Sequence, residues 1–157
     1  MDARSESDGN FFTFAVGQGE DRYAFFKVAK DHFRFATSTD TWRGERGLRY
    51  DLDGSAWHRY ALVVNSAAAR LYVDGTLAAE TTELTSLLAD MGSGLEVLLG
   101  KSFYAEDGLF IGDVDNIAVY RTALTAGELG IGAGIAGLLT ASALQKAGRQ
   151  VVDRKSV

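Results

Sequence analysis

The chain contains no cysteine. That excludes disulfides, thiolate catalysis and cysteine-ligated zinc in one step. It leaves the compartment open, because secreted proteins can also do without cysteine. Histidine is almost as scarce. His32 and His58 are the only two, so a multi-histidine metal site is excluded. Proline is absent, and nothing follows from that. Basic charge is in deficit, with 16 Lys and Arg against 21 Asp and Glu, a net charge of -5. An acidic chain without a basic run argues against nucleic acid as the main partner. No apolar run is long enough to span a bilayer, and the first ten residues, MDARSESDGN, are too polar for a signal peptide.

What remains is ordinary in bulk and specific in pattern. A length of 157 residues suits one domain with a real core. Aromatic residues make up 11% of the chain, nine Phe and six Tyr among them, and they fall in short alternating runs. Alternation with period two predicts strands at residues 11–16, 22–28, 32–37, 48–52, 57–64, 70–73, 76–79, 95–101 and 109–120. In the third of these, Phe33 and Phe35 face one way and His32 and Arg34 the other, the pattern of a half-buried strand. Asp74-Gly75 between two strand-forming runs predicts a two-residue type I′ hairpin. Leu84, Leu87 and Leu88 suggest a helical turn or two capping an open end. Strand follows strand at hairpin distances with no intervening helix. That excludes a βαβ arrangement and predicts an all-β, antiparallel two-sheet sandwich.

Four motifs add a resemblance. Trp57-His58 opens a strand, and LYVDG follows at residues 71–75. GDVDNIAVY then spans 112–120, and LTAGE spans 124–128. In that order and spacing they resemble the laminin-G-like (concanavalin A-like) domains over residues 11–129. The resemblance implies a jelly-roll sandwich with Trp57 as a packing residue and His58 as a polar position. It also implies a non-catalytic recognition module that binds carbohydrate, is extracellular and accompanies a secreted glycoside hydrolase. One alternative is a structural interface domain that packs on a neighbouring catalytic domain and binds no ligand. Such domains normally begin with further strands, so MDARSESDGN reads as a linker after a missing strand. On that reading the sandwich is incomplete at its N-terminus, and the last strand, around Ile117, lacks a neighbour.

The division is therefore a sandwich at 1–129 and a tail at 130–157. Thr125 and Glu128 form a capping box and predict a short helix. Gly132, Gly134 and Gly137 then make a G-x-G-x-x-G that resembles the opening of a FAD- or NAD-binding Rossmann domain. The context such a site needs is missing, because no strand leads into Gly132 and no later strands follow. A further alternative function, judged from this tail alone, is a fragment of a FAD- or NAD-dependent oxidoreductase; dinucleotide binding is not expected, and the tail reads as a packing helix or as a fusion or gene-boundary scar.

Two candidate sites emerge. Trp42 and Tyr104 fall in loops, where exposed aromatic faces can stack on sugar rings. Asp40, Arg43 and Glu45 flank Trp42, and Glu106 follows Tyr104, offering groups for sugar hydroxyls. The competing reading folds both aromatics back as lids on the core. Asp107, Asp113, Asp115 and Asn116 gather oxygen ligands of the kind Ca²⁺ takes, and the family resemblance implies calcium in some members. The competing reading makes Asp115 a hydrogen-bond acceptor at a strand bend. No nucleophile is placed beside either histidine, so no catalytic triad is expected.

Overall fold

A computed structural model describes residues 1–130. The glycine motif at 132–137 and the rest of the tail lie outside the described residues. The described chain forms ten strands. They are β1 (Asp2–Ser5), β2 (Phe14–Gly19), β3 (Arg22–Val28), β4 (His32–Ser38), β5 (Arg46–Asp51), β6 (His58–Asn65), β7 (Ala68–Val73), β8 (Thr76–Thr81), β9 (Glu96–Leu99) and β10 (Gly112–Asp115). The first sheet runs in the order β10-β1-β6-β7-β8 and the second in the order β5-β4-β3-β2-β9. All their pairings are antiparallel. This is the predicted jelly-roll sandwich.

Period-two alternation builds the core between the sheets. Ala24, Val28, Phe33, Phe35 and Leu48 come from the second sheet, and Ala3, Tyr60, Ala69 and Leu71 from the first. Phe33 and Tyr60 stack across the gap with ring centroids 5.4 Å apart. Leu84 and Met91, from the β8–β9 connection, close the end. The predicted helical turn there is a 3₁₀ turn at Leu88–Met91. Asp74 and Gly75 stand at φ 50° and 81°, so the type I′ hairpin forms as its residues dictate.

Four expectations are corrected. Residues 2–5 are not a linker. β1 sits inside the first sheet, with Asp2 opposite both Asp115 of β10 and Arg59 of β6. Its small residues, Ala3 and Ser5, are fully buried, while Arg4 and Asp2 point outward to ion pairs with Asp113 and Arg59. So polar a strand has no propensity signature; pairing and charge complementarity hold it. The last strand therefore has a neighbour. It is also short, because Asn116 adopts φ 52°, which ends the ladder after Asp115. Trp57 is 49% exposed, with the Arg4 guanidinium 5.8 Å from its ring centroid, and is not a core residue. Finally, β4 is buried on both faces, His32 and Ala36 included. The outer face of the second sheet carries an apolar layer of its own. The capping-box bonds at Thr125 and Glu128 form, and residues 126–130 make a turn at the limit of the described chain.

Candidate functional site

That outer layer is the floor of the site. On β3, Tyr23 and Phe25 point away from the sandwich core and cluster with Ala15, Ala36 and Phe12. Phe12 stacks on Phe25 with centroids 4.0 Å apart and planes within 8°. Leu98, Phe103 and Tyr104 pack against the group. Where this layer stops, an open cleft of about 370 Å³ begins. Its volume is in the range of small-molecule sites.

Phe25, Lys27 and Arg34 form the floor, from two adjacent strands. Three connections form the walls. Asn10, Phe11 and Phe12 precede β2, Trp42 and Glu45 precede β5, and Tyr104 and Asp107 follow β9. The loop that carries Trp42 is stiffly held. The buried Ser38 hydroxyl donates to the Thr41 carbonyl at 2.5 Å and accepts the Asp40 amide at 3.0 Å. Thr41 adopts φ 47° and ψ -167°, a strained conformation for a β-branched residue. Directly after it, Trp42 is 60% exposed. The Arg43 guanidinium lies 5.0 Å from the indole centroid.

Glu45 organises the polar side. One carboxylate oxygen accepts the Tyr23 hydroxyl at 2.6 Å, and the other pairs with Arg34. Burial, reinforced by that hydrogen bond, pushes the Tyr23 hydroxyl far above its ordinary value, so it remains a donor. The Arg34 guanidinium also sits 5.4 Å from the Phe25 ring centroid. Lys27 donates to the Gly9 carbonyl and lies 4.7 Å from the Phe11 ring centroid. Burial, and next the positive charge of Arg34, lower its pKa. The cleft thus joins aromatic surface to donors and acceptors, the mixture that takes a ligand with apolar faces and hydroxyl edges.

The comparisons agree with this architecture. The family model described as the concanavalin A-like lectin/glucanases superfamily matches residues 1–130. The chain belongs to that superfamily. An α-L-arabinofuranosidase of Bifidobacterium longum is 26% identical to this concanavalin A-like domain over 134 residues, covering 76% of the chain. The domain spans only 12% of that enzyme's length. Among solved structures, the CBM40 of the Ruminococcus gnavus IT-sialidase, bound to α2,3-sialyllactose, superposes with a TM-score of 0.68. It shares 20% identity, and the match covers 82% of this chain and 77% of that one. At that identity the likeness is one of fold.

The concanavalin A-like domain places the sequence-predicted residues unevenly. Trp42 and Tyr104 both line the cleft. Tyr104 is folded back, with its hydroxyl donating to the Glu20 carbonyl at 2.8 Å and its ring edge-on to Tyr23 at 5.8 Å. Arg43 lies on Trp42, while Asp40 and Glu106 are exposed and outside the lining. Of the four candidate calcium ligands, Asp107 lines this cleft and the other three lie on or beside β10. Asp113 pairs with Arg4 at 2.7 Å, Asp115 accepts the Asn116 amide at 2.8 Å, and the Asn116 side chain donates to Asp2 at 2.8 Å. Among the described residues no group of three or more His, Cys, Asp or Glu is arranged to hold a metal ion. Sequence reasoning passed over Lys27, Arg34, Asn10, Phe11 and Phe12. The available signal was the hairpin at residues 29–31, which puts Lys27 and Arg34 side by side on an otherwise apolar face.

Proposed function

We propose that this domain is a non-catalytic carbohydrate-binding module, extracellular and accessory to a glycoside hydrolase, with the cleft on the outer face of the second sheet as its binding surface. One observation carries the reading: an exposed indole, Trp42, stands on a stiffened loop beside a floor of Phe25, Lys27 and Arg34. Sugars bind by stacking on aromatic faces and by hydrogen bonds to their hydroxyls. The similarity to a segment of an arabinofuranosidase and the sialyllactose-bound CBM40 fold support it. Both histidines lie outside the lining of the cleft. His58 is held between Asp74 at 2.6 Å and the Asp53 carbonyl at 3.0 Å, and His32 faces Asp31 at 2.5 Å.

A second reading has its own observation. Val97 and Leu99 on edge strand β9, and Leu109 and Ile111 before edge strand β10, are each more than half exposed. An apolar edge of this kind suits packing against a neighbouring domain. A glycan array probed with the wild-type domain and with Trp42→Ala separates the two. The module reading expects a defined subset of glycans to be bound and then lost in the variant. The interface reading expects no glycan in either case.

A further inference from the structure

We propose that the glycan held in this cleft is acidic, and that the two cations of its floor, Lys27 and Arg34, select it through its anionic substituent. The inference rests on the carbohydrate-binding reading of this face. Its basis is the register of the ladder. Lys27 is the direct partner of Arg34 across β3 and β4, and Arg34 is the direct partner of Arg49 across β4 and β5. Directly paired residues share a face, so three positive side chains stand in line across three strands. At ordinary strand spacing the line is about 10 Å long. The chain is acidic overall, and the row emerges only when the strands are paired.

Like charges directly opposite each other destabilise a sheet. The counter-charges relieve this unequally. Arg34 has Glu45, and Arg49 has Asp51 at 2.8 Å and Asp31 at 4.0 Å. Lys27 takes part in no ion pair among the described residues; its ammonium meets only the Gly9 carbonyl and the face of Phe11. Of the charges around it, Arg34 and Arg49 oppose its own, while Asp31 and Asp107 favour it. Burial, then Arg34, favour its neutral form. A sugar carboxylate seated beside Lys27 supplies the missing partner, and the remaining N–H groups of Arg34 are within the same floor. Asp107, on the wall of the cleft, sets the limit of the cationic field. A local conflict left in place beside a binding surface is where a functional constraint is expected.

The test is calorimetric titration of the whole chain with two matched pairs of probes. The first is trigalacturonate and its methyl ester, in which each carboxylate charge is removed by an added methyl group. The second is 3′-sialyllactose and lactose, which differ by one carboxylated sugar. The expected result is that at least one acidic probe binds about tenfold or more tighter than its neutral partner, the scale of a charge-assisted hydrogen bond. The preference shrinks as salt is raised. Lys27→Gln removes the preference, Lys27→Arg keeps it, and Asp107→Asn strengthens it. Lys27→Gln melts no lower than wild type, because it takes one charge out of a repelling row. Equal affinity within both pairs, or a preference that survives Lys27→Gln, overturns the proposal while leaving neutral glycan binding intact. Binding to neutral glycans alone on the array has the same meaning. An array on which nothing binds removes both this inference and the reading beneath it.

Discussion

The Tyr23 hydroxyl donates to Glu45 at 2.6 Å from beneath the floor of the cleft. Tyr23 is fully buried, and the same carboxylate holds Arg34 at the surface. A core residue of the outer layer thereby fixes the orientation of a floor cation. Tyr23→Phe keeps the packing and deletes one hydrogen bond to a charged acceptor. It is expected to cost about 2 kcal/mol in chemical denaturation. It should also weaken glycan binding, because Glu45 and Arg34 lose their anchor.

The hairpin at Asp74 and Gly75 sets the register of β7 and β8. Gly75→Val places a β-branched residue at φ 81°, a conformation that side chain strongly disfavours. A one-residue slip would turn Leu71, now fully buried, to the other face. The variant should lose about 1–3 kcal/mol in a single cooperative transition. An unchanged melting curve would mean that the register is set elsewhere.

Much of this was legible in the sequence. Alternation and turn residues are local signals, so the sandwich, the I′ turn and the β3–β4 hairpin could be read directly. β1 could not, because Asp2 to Ser5 alternate only in size and charge, and the partners that make them a strand lie at positions 113 and 59. Trp42 stood out as a polar-loop aromatic. The cleft floor did not, because Lys27 and Arg34 are single charges within separate apolar runs, and only cross-strand pairing brings them together. Asp107 was grouped with the later aspartates by sequence proximity, whereas the chain places it beside Asn10 and Phe11.

Asp74 couples the hairpin to pH. Burial acts to raise its pKa, but hydrogen bonds from the Arg59 amide and from His58 outweigh it, and the carboxyl lies below the usual 3.8. A depressed carboxylate contributes stability that is complete above the unfolded-state value and is lost as pH falls through the folded one. Thermal melts should therefore show stability falling as pH drops below about 4, with a shallower fall in Asp74→Asn. An identical acid limb in the variant would show that other carboxylates carry the effect.

Trp42 and Trp57 are the only two indoles in the chain, which permits a direct test of where ligand binds. Trp57→Phe leaves Trp42 as the sole tryptophan, and Trp42→Phe leaves Trp57. Each variant is titrated with the glycan that the wild-type domain binds best on an array, and tryptophan emission is recorded. If the outer face of the second sheet is the carbohydrate-binding surface, the Trp57→Phe protein shows a saturable change in emission. The Trp42→Phe protein, whose remaining indole lies against Arg4 on the other sheet, shows none. A saturable response from Trp57 with a silent Trp42 would contradict the account.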